Sequence, residues 1–346
     1  MDLEFGEMNR IESEAHSKQY SYNGGANWQR IYDEFQKADM SISALPSCAG
    51  LPALIIGSGP SLDDCLPFIK DFRGIIMASP SQLDVLEKWG IKPTYVVAVD
   101  STDNVVDEQL GYDRDYGGLL LLTHPGISPR VLDAWKGRKR YFRLIHGDPF
   151  DEARFPWIDS AFPVMGSVNN MEVLIANYFG CSPILLTGVD YRYGEDGRER
   201  CQGWRRRGPY IFNEIPPRFM QTEPGRISST PEMLFYATHL LGIWKSYRMN
   251  LVRVTDKGAL TELPWIKPED LARPITEAPV DWETTIPVID ASMHDMGVHL
   301  DDSQGAGRGL FHYRDQDLAR VKQARFAAVV AQEAADFWLE LDSKQT

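Results

Sequence analysis

The clearest indication of the fold is the segment Leu54-Ile55-Ile56-Gly57-Ser58-Gly59-Pro60-Ser61-Leu62. It begins as an apolar run without alternation, which is typical of a parallel strand buried on both faces. The two glycines let the backbone turn sharply, and the proline suits the first position of a following helix. The N–H groups of such a helix start and the two serine hydroxyls favour an anion. We predict a strand, turn and helix whose turn grips a nucleotide phosphate. The turn matches neither G-x-G-x-x-G nor a P-loop, so alone it fits an ordinary structural turn equally well.

The composition of the whole chain limits the class of protein. The chain has 346 residues, 43% of them hydrophobic, which suffices for a large α/β domain with extensions. Its formal net charge of −13 argues against a broad nucleic-acid-binding face. The four cysteines show neither a C-x-x-C pair nor zinc spacing, as expected of reduced thiols. There is no signal-peptide pattern and no apolar run long enough to span a membrane. We therefore expect a soluble, cytoplasmic protein.

Short apolar runs alternate with amphipathic stretches after residue 51, which is the pattern of an α/β fold. Strands are predicted at 53–56, 74–78, 95–99, 119–123, 140–145, 183–187 and 251–254, with helices at 63–71, 81–89, 128–135, 168–179 and 231–247. The pattern predicts a Rossmann-like, doubly wound, mostly parallel sheet with helices on both faces. Such sheets bind ligands beyond the carboxyl ends of their strands, so the site is expected there.

Two extensions flank the predicted domain, which spans residues 51–262. Residues 1–50 are expected to be irregular up to residue 26 and then to form one helix, because apolar side chains recur there at helical spacing. Residues 263–346 begin with a stretch rich in Pro, Asp and Gly, expected to be an arm, and end in a long helix from about Asp315 to Leu341. That helix either packs back on the domain or forms a contact between copies of a homo-oligomer.

Several further strand ends carry polar residues. The turn Gly166-Ser167-Val168-Asn169-Asn170 opens a helix, and the strand after that helix runs into Gly188-Val189-Asp190-Tyr191. Two other strands are followed directly by Asp100 and by His124. Taken singly, each feature is what an ordinary helix and strand unit with a serine N-cap would also show.

Together these motifs resemble the MptE-like family, which includes the flagellin motility accessory factor (Maf) glycosyltransferases and archaeal 6-hydroxymethylpterin diphosphokinases. That family is distantly similar to sialyltransferases that use CMP-sialic acid. The resemblance covers about residues 50–262 and rests on Gly57–Leu62, Val97–Asp100, Gly166–Val168, Gly188–Tyr191 with Asp196-Gly197, Ser228–Thr230, Leu251–Val254 and Gly258–Leu260. It implies a modified Rossmann-type domain in which the first and second glycine-serine turns hold a donor nucleotide from two sides.

The resemblance also implies roles for individual residues. The nucleotide would contact Gly57, Ser58, Gly59, Pro60, Ser61, Gly166, Ser167, Asn169, Gly188 and Tyr191. Asp100 or Asp190 would accept hydrogen bonds from ribose or base, or hold Mg²⁺. The sialyltransferases place a histidine base before their late helix, where Ser229 stands in this chain. Another aspartate or histidine would then have to act as the base. The candidate catalytic residues are accordingly Asp190, Asp100, His124 and Ser229, with His146 as a further histidine. A structural role remains the alternative for both histidines.

One basic cluster follows the Asp190 strand end directly in this acidic chain. It consists of Arg198, Arg200, Arg205, Arg206 and Arg207, interleaved with Trp204 and Tyr210. These arginines either clamp a diphosphate, an acidic sugar or the phosphates of a nucleic-acid acceptor, or they form a solvated loop with ion pairs. The candidate substrate-binding residues are Arg205, Arg206 and Thr230.

Three hypotheses on function follow from the resemblance. The first is a nucleotide-dependent glycosyltransferase with a CMP-type sugar donor, no required metal, and an acceptor that is a glycan, a protein or a nucleic acid. The second is an ATP- and Mg²⁺-dependent diphosphokinase acting on a hydroxymethylpterin-like molecule. The strand end at Asp100 lacks the Asp-Leu-Asp-Gly form expected for it, although Ile145–Asp148 echoes its His-Gly-Asp element. The third is a module that binds a nucleotide or a partner without turnover.

Overall fold

The structure is a computed structural model that describes residues 2–110, 116–145, 154–204, 220–222 and 227–272, with side chains for 18–110, 116–145, 154–204, 229–230 and 232–272. Its strands are β1 (Ala53–Ile56), β2 (Ile75–Ala78), β3 (Tyr95–Val97), β4 (Leu120–Thr123), β5 (Arg138–Tyr141), β6 (Arg143–Ile145), β7 (Ala161–Pro163), β8 (Ile184–Thr187), β9 (Met220–Thr222), β10 (Ile227–Ser229), β11 (Leu251–Val254) and β12 (Trp265–Ile266). Eight of them form one parallel sheet in the order β12-β11-β8-β1-β2-β3-β4-β5. Two further pairs, β6 with β7 and β9 with β10, form small separate sheets.

The direction of winding reverses between β1 and β8. From β1 the chain moves strand by strand to β5 at one edge of the sheet, and it later returns to β8 and moves to β12 at the other edge. β1 and β8 lie side by side, with Ala53 opposite Ile184 and Ile56 opposite Thr187. In doubly wound sheets the ligand crevice lies outside the carboxyl ends of strands at such a switch point. The fold therefore places the crevice where the first glycine-serine turn begins.

Helices cover both faces of the sheet. They are α1 (Asp2–Phe35), α2 (Leu62–Ile69), α3 (Leu83–Lys88), α4 (Pro129–Ala134), α5 (Val168–Tyr178) and α6 (Pro231–Tyr247), joined by short 3₁₀ or π turns at 42–44, 80–82, 105–110 and 268–272. Along β1, Ile55 packs in one core with residues of α5 and α6, whereas Leu54 and Ile56 pack in another with α2. Each buried aliphatic side chain of this kind contributes about 1.5–3 kcal/mol. The predicted doubly wound fold is confirmed.

The N-terminal helix is longer than the sequence indicates. Residues 1–26 were expected to be irregular, but α1 runs from Asp2 to Phe35. The cause lies in tertiary contacts of two buried amides. Asn23 donates to the carbonyl oxygens of Ser101 (2.8 Å) and Gly126 (3.1 Å), and Asn27 donates to two more carbonyls in the loop after β4. These bonds hold α1 across the ends of β3 and β4, although Asn-Gly-Gly is ordinarily a turn signal.

The remaining differences concern boundaries. The strand predicted at 140–145 divides at Phe142, so that β5 stays in the main sheet and β6 joins β7. The main sheet continues past residue 262 through Trp265–Ile266, which pairs with β11. The long helix predicted for 315–341 lies outside the described residues. All four cysteines are buried and unpaired, and no helix among the described residues is long and apolar enough to cross a membrane.

Candidate functional site

Two turns, which follow β1 and β8, lie back to back at the switch point. The Gly57 N–H donates to the Thr187 carbonyl (2.8 Å), and the Gly59 N–H donates to the Gly188 carbonyl (2.7 Å). A Cβ on Gly57 would lie 2.2 Å from the Gly188 oxygen, and a Cβ on Gly188 would lie 2.6 Å from the Gly57 oxygen. Real Cβ atoms do not approach backbone so closely. The glycines of both turns are therefore required for direct packing of backbone on backbone.

Asp190 joins the two turns through its side chain. Its carboxylate accepts hydrogen bonds from the Ser61 N–H (2.8 Å) and the Ser61 hydroxyl (2.5 Å), and the residue is 6% exposed. Burial raises the pKa of Asp190, and the bonds from Ser61 oppose that rise. The carboxylate lies at the N-terminus of α2, where the helix dipole favours negative charge. Both Ser61 donors that the sequence offered to a ligand phosphate are thus bonded to the protein itself.

Ser58 and Arg200 lie on the other side of the same turn. The Arg200 guanidinium donates to the Ser58 hydroxyl oxygen (2.6 Å), and the Cys201 N–H donates to the Ser58 carbonyl (2.8 Å). The Arg200 guanidinium carbon lies 5.5 Å from the centre of the Trp204 ring, and a guanidinium nitrogen lies 2.7 Å from a carboxylate oxygen of Glu199. A serine hydroxyl that accepts one hydrogen bond keeps its own proton for donation. Ser58 and Arg200 therefore form a pair of donors suited to an anion.

Tyr191 connects the segment after β8 to the second glycine-serine turn. Its hydroxyl donates to the Asn170 side-chain oxygen (2.6 Å) and lies 3.4 Å from the Ser167 hydroxyl. Asn170 in turn donates to the backbone carbonyl of Tyr236 on α6 (3.1 Å). Gly166 has φ +69°, and a Cβ there would lie 2.6 Å from the Tyr236 ring. The starts of α5 and α6 are thereby fixed against the end of β8.

Residues before α6 and after β11 also contact this segment. Thr230 caps α6, because its hydroxyl oxygen accepts from the backbone N–H three residues on (3.1 Å). Ser229, which is 1% exposed, donates to the Tyr191 carbonyl (2.7 Å). The Ala259 N–H donates to the Asp190 carbonyl (2.7 Å). The turns that the sequence placed at separate strand ends therefore meet at Asp190 and Tyr191.

A buried carboxyl group beside the second glycine-serine turn was not predicted from the sequence. Glu172 on α5 is fully buried, and its Oε2 accepts from the Asn169 amide nitrogen (2.8 Å). Its Oε1 has no hydrogen-bond partner in the part of the chain that the structure describes. Burial raises the pKa of Glu172 to about 8. Burial also raises the pKa of Tyr191, and the nearby Glu172 adds to that rise. The spacing of three residues from Asn169 was the available sequence signal.

Asp100 and His124 do not join this site. His124 is 2% exposed, its ring nitrogen bonds the Val99 carbonyl (2.9 Å), and its ring lies 5.2 Å from that of Tyr20 on α1. The exposed Asp100 accepts from the backbone N–H of Thr102 (2.8 Å). Asp100 follows β3 and His124 follows β4, and β2 lies between these two strands and β8. The distance from β3 to β8 is three inter-strand spacings, roughly 14 Å. His124 thus packs beneath α1, away from the switch point.

Other predicted residues have different surroundings. Arg198 forms ion pairs with Asp63 (2.9 Å) and Asp196 (2.5 Å). Arg205, Arg206, Arg207, Tyr210 and His146 lie outside the described residues. Within the described ranges there is no group of three or more His, Cys, Asp or Glu side chains arranged to hold a metal ion.

Comparison with known proteins gives a matching family and a protein that shares the fold. A family model described as 6-hydroxymethylpterin diphosphokinase MptE-like matches residues 27–196, which include both glycine-serine turns and Asp190. A Maf glycosyltransferase from Magnetospirillum magneticum AMB-1 shares the fold with a TM-score of 0.51 and 19% identity, over 80% of this chain and 38% of that protein. The present chain therefore spans well under half of that relative.

Two sialyltransferases of Campylobacter jejuni also match, with lower scores. The α-2,3-sialyltransferase Cst-I has a TM-score of 0.35 and 13% identity, over 82% of this chain and 99% of its own. CstII, solved with the substrate analogue cytidine-5′-monophosphate, has a TM-score of 0.31 and 11% identity, over 67% of this chain and 91% of its own. A comparison with curated proteins gives no match. The resemblance to the MptE-like family is confirmed over residues 27–196, which the family model matches.

Proposed function

We propose that the protein is a nucleotide-dependent transferase, foremost a glycosyltransferase that takes its sugar from a CMP-type donor. The observation that carries this proposal is the convergence of both glycine-serine turns on Asp190 and Tyr191 at the switch point of the sheet. The MptE-like match and the fold shared with a Maf glycosyltransferase support the choice of enzyme class. The acceptor stays open between a glycan, a protein and a nucleic acid.

In this proposal the donor phosphate binds beside Ser58 and Arg200. In the transfer, the acceptor oxygen forms a bond to the sugar carbon as the bond from that carbon to the phosphate breaks, the bonding electrons stay on the phosphate, and the proton of the acceptor hydroxyl passes to solvent water. The Ser58 hydroxyl and the Arg200 guanidinium would stabilise that developing charge, since donors already in place act strongly where charge appears. The nucleoside would extend toward Ser167 and Asn169 at the start of α5.

Asp190 and Ser229 take positioning roles in this proposal. Asp190 accepts both Ser61 donors and thereby fixes the start of α2. Ser229 fixes Tyr191 by donating to its carbonyl. Thr230 caps α6, so that it would hold the helix start close to the donor rather than bind the acceptor. A homo-oligomer contact through the C-terminal helix remains a separate hypothesis, because that helix lies outside the described residues.

The second candidate is an ATP-dependent diphosphokinase, which is favoured by the description of the matching family. Catalysis would then depend on positioning of the triphosphate and on Mg²⁺. The exposed carboxylate of Asp100 is available for a cation, but the fold separates it from the switch point. A module that binds a nucleotide without turnover is the third candidate, and ligand binding alone does not separate it from the first.

A thermal-shift screen with CMP, CDP, UDP, GDP and ATP, each with and without Mg²⁺, tests the proposal. Stabilisation by CMP or CDP without Mg²⁺ supports the sugar-nucleotide hypothesis, and Mg²⁺-dependent stabilisation by ATP alone replaces it with the diphosphokinase. If CMP binds, hydrolysis of a CMP-activated sugar separates an enzyme from a binding module. No shift with any of the five nucleotides would reject the nucleotide site.

A matched pair of variants tests the phosphate contact. Arg200→Ala is expected to weaken CMP binding about tenfold, because it removes the guanidinium beside Ser58, whereas Arg198→Ala, which removes an arginine paired with Asp63 and Asp196, should change it less than twofold. Equal losses in both variants would reject the assignment of Arg200. Substitution of Gly59 is a poor test, because its Cβ would lie 2.5 Å from Asp190 and disturb the turn itself.

A further inference from the structure

The buried position of Glu172 is energetically unfavourable for a carboxyl side chain. It lies in the second turn of α5, where the residues from 170 to 176 are all buried. One of its carboxyl oxygens accepts from Asn169, and the other has no partner within the described residues. Buried polar atoms without partners are rare in folded proteins, and each needs an explanation. An aliphatic residue would fill the same helical position without a titratable group.

Within the described residues, the hydrogen bond to Glu172 comes from Asn169, which belongs to the second glycine-serine turn. Asn169 lies in the first turn of α5, two residues after Ser167, and is half-buried. Its amide nitrogen donates inward to Glu172 Oε2 at 2.8 Å. A carboxamide carries an acceptor oxygen opposite its donor nitrogen, so fixing the nitrogen also fixes the direction of the oxygen. The inward bond therefore leaves the Asn169 oxygen as an oriented acceptor at the start of the helix.

We propose that Glu172 is a positioning residue that orients Asn169, whose side-chain oxygen then accepts a hydrogen bond from the nucleoside of the bound donor. The inference rests on the proposed function, because it deepens the site at which the nucleotide binds. The ligand class is a nucleoside that carries a hydroxyl on its ribose or an amino group on its base. Glu172 itself stays buried and does not contact the ligand.

Two substitutions of Glu172 should differ in their effect on ligand affinity. Glutamine keeps a carbonyl oxygen that accepts from Asn169, so Glu172→Gln should preserve the orientation of the amide. Leucine has no acceptor, so Glu172→Leu should release the Asn169 side chain while leaving the position apolar and filled. A role limited to packing predicts no difference between the two variants in ligand affinity.

The experiment measures CMP affinity of the full chain by calorimetry, with thermal melting to verify that each variant folds. Asn169→Ala and Glu172→Leu should each weaken binding about five- to tenfold, and Glu172→Gln should stay within about twofold of the parent. The double variant Glu172→Leu with Asn169→Ala should bind like Asn169→Ala alone, because both changes remove the same contact. Asn177→Ala, at the other end of α5, is the matched control and should have no effect.

Three more nucleotides identify the group that Asn169 contacts. UMP lacks the amino group of cytosine, and 2′-deoxy- and 3′-deoxy-CMP each lack one ribose hydroxyl. The effect of Asn169→Ala should disappear for the nucleotide that lacks the contacted group. An equal effect for all of them, full affinity in Glu172→Leu, or additive losses in the double variant would overturn the inference while leaving CMP binding intact. Failure of the parent protein to bind any nucleotide would instead remove the proposed function and the inference with it.

Discussion

Replacement of Glu172 by glutamine should flatten the dependence of stability on pH. The pKa of Glu172 is about 8 in the folded protein, against an ordinary value of 4.5. An acid with a raised folded pKa contributes its full stability below pH 4.5, and that contribution is lost as pH rises toward 8. At 1.36 kcal/mol per pKa unit, the linkage relation gives a loss of about 3–4 kcal/mol between pH 5 and pH 8. Glutamine does not titrate, so Glu172→Gln should lack this loss.

Urea unfolding at pH 5, 6.5 and 8 measures the effect, since the free energy of unfolding extrapolates linearly to water. The change between pH values is a better observable than the absolute stability of the variant. The glutamine amide also places N–H groups where Oε1 now has no partner, which costs about 1–3 kcal/mol at every pH. Glu269→Gln, at an exposed position, is the control and should keep the slope of the parent. Parallel profiles for the parent and Glu172→Gln would refute the argument that Glu172 is buried without a compensating charge.

Three further substitutions test the packing of the site and of α1. Gly57→Ala should lower the free energy of unfolding by more than about 2 kcal/mol, because its Cβ would lie 2.2 Å from a backbone oxygen. The control is Gly25→Ala, whose Cβ would have its nearest contact at 3.6 Å, and it should be neutral or stabilising in thermal melts. Asp190→Ala should cost about 1–3 kcal/mol in urea unfolding, since it leaves both Ser61 donors without their acceptor; an unchanged midpoint would contradict the capping role. Asn27→Ala removes two buried hydrogen bonds and should speed hydrogen exchange in α1; unchanged exchange would mean that other contacts hold the helix.

The sequence predicts the central sheet well because its strands are buried on both faces. The apolar run at 53–56 has the bounds of β1, since no polar residue interrupts it, and the strand predicted at 251–254 has the bounds of β11 although Arg253 lies within it. The sequence does not predict the full length of α1, and the reason is different. The bonds that hold Asn23 and Asn27 come from loops about 80 to 100 residues away, and a local pattern carries no information about them.

Part of the predicted set of site residues lies together in the structure, whereas the hydrogen bonds among these residues were not predicted. The glycines, serines and aspartate that the sequence singled out do lie together, because the ends of neighbouring parallel strands meet at one edge. Which donors stay available to a ligand depends on the partners that the chain itself supplies. Ser61 is already bonded by Asp190, whereas Ser58 is paired with Arg200. A list of residues in sequence order does not reveal such pairings.

The same bonding changes the meaning of the glycine-serine turn after β1. Its glycines are required by the turn after β8, whose backbone lies against them, and that requirement holds whether or not a ligand is present. Glycines at this point therefore indicate the contact between β1 and β8 more directly than they indicate a phosphate. Specificity for a ligand must come from side chains outside this backbone contact, such as Ser58, Arg200 and Asn169. Two proteins with identical glycines in these turns would accordingly bind different nucleotides, or none, if those three side chains differed.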